Sequence, residues 1–160
     1  QALFELLILE TFQAGLSWRL ILGRREAFRE AFAGFDARLM ADWSDGKVAE
    51  LLLDAAIIRN RAKLLATRGN ARAFLNVQEQ QGSFADWLWR FTDGQPVVGH
   101  WQSPADVPAR TALSDRVSAE LRRAGFRFTG SVTAYSYLQA AGLVQDHLVS
   151  CFRYQELVQG

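Results

Sequence analysis

One cysteine, one methionine, two histidines and three prolines in 160 residues set the first limits on this chain. A single cysteine rules out an internal disulfide and suits a reducing compartment. No apolar stretch approaches the roughly 20 residues that cross a bilayer as a helix, and no basic leader precedes a cleavage-type site. A cytoplasmic protein with no membrane partner is therefore expected. Excess charge is missing too, because 18 Lys and Arg against 17 Asp and Glu leave a formal net charge of +1. That balance neither advertises nor excludes nucleic acid, since one face can be basic on a neutral whole. Internal repeats, coiled-coil seams and low-complexity tracts are absent, as is any run of strict apolar and polar alternation that would mark a half-buried strand.

What is present is apolar surface. With 49% hydrophobic and 22% charged residues, the chain suits one domain, 1–160, with a sizeable core. Apolar positions recur at three- and four-residue intervals almost throughout, which predicts an all-α fold. Ala2 to Ala14 reads as a first helix closed by Gly15, and Ser17 as the cap of a second carrying Trp18, Ile21 and Leu22. Arg25 to Phe32 follows, then two short helices capped by Asp36 and Ser44, the second running through Leu53. A longer helix is expected from about Arg59 to Val77, then Ser83-capped Phe84 to Phe91, Thr111 to Arg123, and Ser131 to Ala141. Residues 92–108 read as the one extended loop. Helical periodicity begins at once after Gln1, so the chain reads as a fragment whose N-terminal segment is missing.

Two apolar runs carry reactive groups. In Leu9-Glu10-Thr11-Phe12-Gln13-Ala14-Gly15-Leu16-Ser17-Trp18, a carboxylate and an indole stand either side of a glycine turn. In Gly142-Leu143-Val144-Gln145-Asp146-His147-Leu148-Val149-Ser150-Cys151, His147 and Cys151 are four residues apart. If that run is helical, both side chains leave one face and could grip one metal ion. A buried core histidine beside an inert thiol fits the same residues.

A third signal lies in residues 51–68. Two helices joined by a short link with apolar residues inside it, the second starting with basic residues, resemble a helix-hairpin-helix element. Such an element offers hairpin N–H groups and a helix N-terminus to one backbone phosphate. The candidate DNA-backbone residues are Ala55, Ala56, Ile57, Ile58, Arg59 and Lys63. Docking of this kind ignores base sequence and needs few side-chain charges, so it is compatible with a net charge near zero. An ordinary helix turn with a solvated basic face is the alternative on pattern alone.

Taken together, the segments resemble the DNA-3-methyladenine glycosylase I family of helix-hairpin-helix DNA glycosylases. The resemblance rests on the Glu10 to Trp18 block, Ile57-Ile58-Arg59-Asn60-Arg61 with Gly69-Asn70-Ala71-Arg72-Ala73-Phe74, and Phe84-Ala85-Asp86-Trp87-Leu88-Trp89. It continues through Gly125-Phe126-Arg127-Phe128, Tyr135-Ser136 with Gln139, and His147 to Cys151. It implies base excision repair of double-stranded DNA containing alkylated adenine. The flipped-out 3-methyladenine is released by hydrolysis of its N-glycosidic bond, leaving an abasic site. By position, Glu10 matches the catalytic-pocket carboxylate that hydrogen-bonds the adenine edge, Trp18 an aromatic that packs on the base, and Leu16 a wedge that fills the gap in the duplex. No lysine stands where bifunctional relatives place a Schiff-base nucleophile, so water is the expected acceptor and the activity monofunctional.

The same resemblance makes His147 and Cys151 half of a structural zinc site whose other ligands lie near the family's N-terminus. Two ligands alone hold zinc far more weakly than four, so little or no zinc is expected on this chain. Ala56 stands where the hairpin usually has glycine, which would cost roughly 1–2 kcal/mol if a left-handed residue is required there. Ala119 replaces a lysine common in the family. A monomer is expected. The alternative reading is a non-catalytic helix-hairpin-helix DNA-binding module that has lost part of its base pocket; retention of both Glu10 and Trp18 favours the enzyme.

Overall fold

The computed structural model describes residues 1–159, with side chains described through Leu157. Ten α-helices follow one another: α1 Ala2–Gln13, α2 Trp18–Gly23, α3 Arg25–Ala31, α4 Ala37–Ala41, α5 Asp45–Leu51, α6 Arg61–Gln81, α7 Phe84–Trp89, α8 Ala112–Arg123, α9 Ser131–Ala140 and α10 Phe152–Gln159. The all-α expectation holds. One small exception interrupts it, a two-residue parallel ladder in which β1 Val97–Val98 pairs with β2 Val144–Gln145. Two-residue strands are too short for periodicity to register, and β1 lies inside the segment expected to be loop.

Polar caps set most helix starts as the sequence implies. The side chains of Ser17, Asp36, Ser44, Ser83 and Thr111 each accept a backbone N–H of their helix's first turn. Helix α1 ends before Gly15, whose φ of +82° suits a residue without Cβ. It buries Phe4, Leu7, Ile8, Leu9 and Phe12 around its circumference, because it runs through the centre and packs on α2, α6 and α9. Two aromatic clusters fill the space on either side. Phe12, Phe28, Phe32, Phe35 and Trp43 interlock on one, and Phe4, Phe74, Phe84 and Phe126 on the other, with centroids 4.7–5.9 Å apart. The core therefore grips α1 along its length and leaves its C-terminal turn facing α2, α9 and the start of α6.

Two expected boundaries move. Helix α5 stops at Leu51 and α6 starts at Arg61, so residues 52–60 form a looser link than the tight turn expected. Asn60 is the reason for the later start: its side chain accepts the Lys63 N–H at 3.1 Å and caps the helix. The segment 143–151 is not helical. After β2 it runs extended to a turn in which the Cys151 N–H donates to the Leu148 carbonyl at 2.8 Å, and α10 follows where no helix was expected.

Candidate active site

The C-terminal turn of α1, the first turn of α2, the end of α9 and the extended run after β2 converge on one cavity of about 410 Å3. That volume lies within the usual small-ligand range of roughly 300–1,000 Å3. Glu10 and Gln13 come from α1, Trp18 from α2, Ser136, Gln139 and Ala140 from α9, and Val144 to His147 from the last segment. Glu10 and Trp18 thus meet across the Gly15 turn, although they are separated in sequence. Ser17 makes this possible by starting α2 immediately after the turn, which turns the indole back toward α1.

Glu10 is 3% exposed, and no hydrogen bond or ion pair reaches its carboxyl group among the described residues. Removal from water without compensation disfavours the charged form, and the pKa is pushed up from 4.5 to about 7. An unpaired carboxylate at a cavity wall is costly to keep unless a ligand completes it. A cation bearing an N–H donor would do so, restoring both charge balance and a hydrogen bond. Trp18 is half-buried against the core and offers its indole to the same space.

Across the cavity a second carboxylate is handled in the opposite way. Asp146 accepts the Trp101 indole N–H at 2.6 Å, the Gln139 side-chain N–H at 2.7 Å and the Tyr135 hydroxyl. Three donors on two oxygens leave it fixed, and it fixes Gln139 in turn. Burial, reinforced by the hydrogen bond to Asp146, raises the Tyr135 pKa well above that of a free phenol, so the hydroxyl remains a donor. A glycine at position 99 lets the β1 end approach, since a Cβ there would stand 2.1 Å from Trp101 Nε1 and 2.5 Å from Asp146 Oδ1. Tyr135 and Gln139 belong to the segments that carry the family resemblance, whereas Asp146 has no local sequence signal, because its donors stand 7, 11 and 45 residues away.

A larger, more apolar cavity of about 500 Å3 lies behind Asp146 and Val144 and contains neither Glu10 nor Trp18. Its lining holds no free charged group, so it lacks the chemistry that sets the first cavity apart.

The other expected residues are distributed around this site. Leu16 sits in the turn beside it, half-buried and packed on the core, its carbonyl held by the Gln13 side chain at 2.8 Å. His147 reaches the cavity wall, and its Nδ1 lies 3.8 Å from Cys151 Sγ. The turn at Leu148 to Cys151, not a helix face, produces that approach. The separation suits one tetrahedral zinc, for which Zn–S and Zn–N bonds imply roughly 3.6 Å between the two donors. No cluster of three or more metal-type side chains occurs among the described residues.

The hairpin lies apart from the cavity. Ala55, Ala56 and Arg59 are exposed, Ile57 is buried and Ile58 half-buried, so the link is anchored by isoleucine and turned outward elsewhere. Ala56 has no positive φ, and its N–H is held by Asp54 at 2.8 Å. The turn therefore does not require a left-handed residue at Ala56, and the cost that would follow from one does not arise. Lys63 is also corrected. It is 7% exposed, with Nζ donating to the carbonyls of Phe12 at 2.8 Å and Ala14 at 2.7 Å, so its ammonium points into the protein and not toward a phosphate. Arg59 and Arg61 remain exposed at this end. Leu53, 81% exposed at the foot of the link, was expected inside α5. Three consecutive leucines cannot all face the core from one helix, which was the overlooked signal.

Comparison with known proteins falls into line with this geometry. A family described as methyladenine glycosylase matches residues 1–154. DNA-3-methyladenine glycosylase 1 of Escherichia coli strain K12 is 42% identical over 152 residues, covering 95% of this chain and 81% of its own. DNA-3-methyladenine glycosylase of Haemophilus influenzae is 39% identical over 151 residues, covering 94% and 82%. A solved structure of 3-methyladenine DNA glycosylase I in complex with 3-methyladenine superimposes with a TM-score of 0.92 at 36% identity, covering 95% of this chain and 82% of that one.

Proposed function

This chain belongs to the methyladenine glycosylase family, and we propose that its Glu10 and Trp18 cavity receives the alkylated base. As a family member it is a hydrolytic glycosylase of alkylation repair that releases 3-methyladenine from DNA. The observation that carries the site assignment is Glu10, buried at a cavity wall with no partner. Methylation at N3 gives the base in DNA a positive charge and leaves its exocyclic amino group as a donor. An unpaired carboxylate beside an indole face favours both features over a neutral adenine.

The chemistry then needs little from the protein. The C1′–N9 bond breaks with its electron pair moving to the base, which leaves neutral because that pair cancels its charge. Water adds at C1′ and loses a proton to solvent. The cavity supplies exposure and orientation: the base is extruded from double-stranded DNA, Leu16 fills its place, and Glu10 and Trp18 hold it. Hairpin N–H groups of Ala55, Ile57 and Ile58, the start of α6 and Arg59 meet the backbone phosphates, while the Ala56 N–H stays with Asp54. Zinc would be held in part by His147 and Cys151, and its contribution there would be structural, tying the segment after β2 in place. The protein works as a cytoplasmic monomer.

Incubation with a methylated duplex, counting free 3-methyladenine and abasic sites together, is the direct test. Equal amounts of both are expected. Strand cleavage without free base, or no release at all from a folded protein, would overturn the reading. Metal analysis after dialysis against zinc tests the pair at the C-terminal turn, where little or no retained zinc is the expected result and one tightly held zinc per chain would overturn the two-ligand reading.

A further inference from the structure

Two cationic side chains tie residues 52–63 to the elements around the wedge turn, Lys63 to the end of α1 and Arg24 from the junction of α2 and α3. Lys63, in the first turn of α6, donates from Nζ to Phe12 O and Ala14 O, two of the last three carbonyls before Gly15. Arg24, at the junction of α2 and α3, donates from Nη1 to Ala55 O at 2.9 Å and Ala56 O at 2.8 Å. Both cations therefore end on carbonyl oxygens of the opposite element, and neither has a carboxylate partner among the described residues. Burying an ammonium on two carbonyls is an expensive way to join two helices if packing is the only requirement, because an apolar side chain could fill the same space. The arrangement has a geometric consequence instead. The segment that docks on phosphate and the segment that carries Leu16 and Trp18 cannot move independently.

We propose that Lys63 is a positioning residue that locks the Leu16 turn to the phosphate-docking hairpin, so that docking on the backbone presents the wedge at a fixed depth in the duplex. This rests on the wedge and docking roles given above. Lys63 touches neither base nor phosphate. It sets where Leu16 stands relative to the residues that grip the strand, and Arg24 supports the same alignment from the other side. Gly15, at φ +82°, turns the chain between these carbonyls and Leu16, so the Lys63 contacts fix the turn just before the wedge.

The test compares single-turnover excision of 3-methyladenine from two duplexes, one with the damaged base normally paired and one with it opposite an abasic site, where little work of extrusion remains. Lys63→Met should slow the paired substrate about tenfold or more and the pre-unpaired one less than threefold. Undamaged-duplex affinity and its salt dependence should stay unchanged, and Lys63→Arg should recover most of the loss. Arg24→Met, which leaves the core untouched, should show the same partition at smaller size. Equal loss on both substrates, or a reduced salt slope, overturns the proposal in favour of a folding or phosphate-contact role. If Lys63→Met does not fold, an unchanged partition in Arg24→Met overturns it. Leu16→Ala separates the layers: silence there removes the wedge reading itself, whereas a paired-only loss in Leu16→Ala with none in Lys63→Met removes this inference alone.

Discussion

Helix α1 carries two buried glutamates, and its two ends treat them in opposite ways. Glu5 is 5% exposed and receives Arg25 Nε at 2.6 Å and Arg29 Nη2 at 3.1 Å, both from α3. Burial alone would raise its pKa, but the two guanidinium hydrogen bonds outweigh that and hold it below the ordinary 4.5. Glu10 is 3% exposed, has no such partner, and burial raises it to about 7. The same residue type on the same helix is a finished ion pair at one end and an open valence at the other. Exposure does not distinguish them. The presence of a partner does, and a carboxylate left without one marks the end of the helix where a ligand is to come.

The contrast is broken most directly at Glu10. Glu10→Gln should lower excision of 3-methyladenine about 10- to 100-fold, the scale of losing a charged hydrogen bond of about 1.5–3 kcal/mol, and Trp18→Ala should lower free-base affinity by a stacking contribution of about 1–3 kcal/mol. Steady-state excision and calorimetric titration with 3-methyladenine read these two. Glu10→Gln should not lower the melting temperature as an ion-pair loss does, because Glu10 has no partner to lose among the described residues. Wild-type behaviour of both would dissociate the cavity from the reaction.

At the other end, Glu5→Gln should cost stability and spare the chemistry. Removing the acceptor of two guanidinium groups is expected to lower the melting temperature by about 2–5 °C in a domain of this size, with excision at 25 °C unchanged. Calorimetry and the same kinetic assay decide it. A large kinetic defect with intact folding would mean that the two ends of α1 are coupled.

Acid and base titrations sharpen the comparison because the signs are opposite. A raised carboxyl pKa contributes stability that is present below 4.5 and is lost as pH rises through about 7, so wild type should lose stability relative to Glu10→Gln across that window. A lowered one contributes stability above 4.5 that is lost as pH falls through its depressed value, so Glu5→Gln should differ most from wild type near neutrality and least in acid. Excision should fall below about pH 7 as Glu10 takes up a proton. Thermal melts from pH 3 to 8 provide both curves, and parallel curves for the two variants would contradict the assignment. Smallest of all, Arg59→Ala should reduce the salt slope of duplex binding by about one unit, with the same loss on every sequence.

Much of this was legible before any coordinates. Caps at Ser17, Asp36, Ser44 and Ser83 announced their helices, because a side-chain oxygen beside an amphipathic run is a local signal. The Glu10 and Trp18 pairing was legible as a motif, and the glycine between them explained how the chain could fold back. The link after α5 was less so: three leucines in a row blurred the helix end, and Asn60, an ordinary cap, went unread. The helix assumed across His147 and Cys151 failed because a spacing of four is satisfied equally by a turn.

Sequence by itself determined the helical class, most helix starts, the family and the identity of the cavity's carboxylate and indole, since each of these is written in local spacing or in a shared order of motifs. Only the tertiary structure decided which charges are spent and which are free. Glu5 is matched by arginines 20 and 24 residues away, Lys63 by carbonyls 49 and 51 residues away, and Asp146 by a tryptophan 45 residues away, while Glu10 is matched by nothing. Charge compensation acts through space over a few ångströms, and a chain's order of residues does not state which distant donors will arrive there.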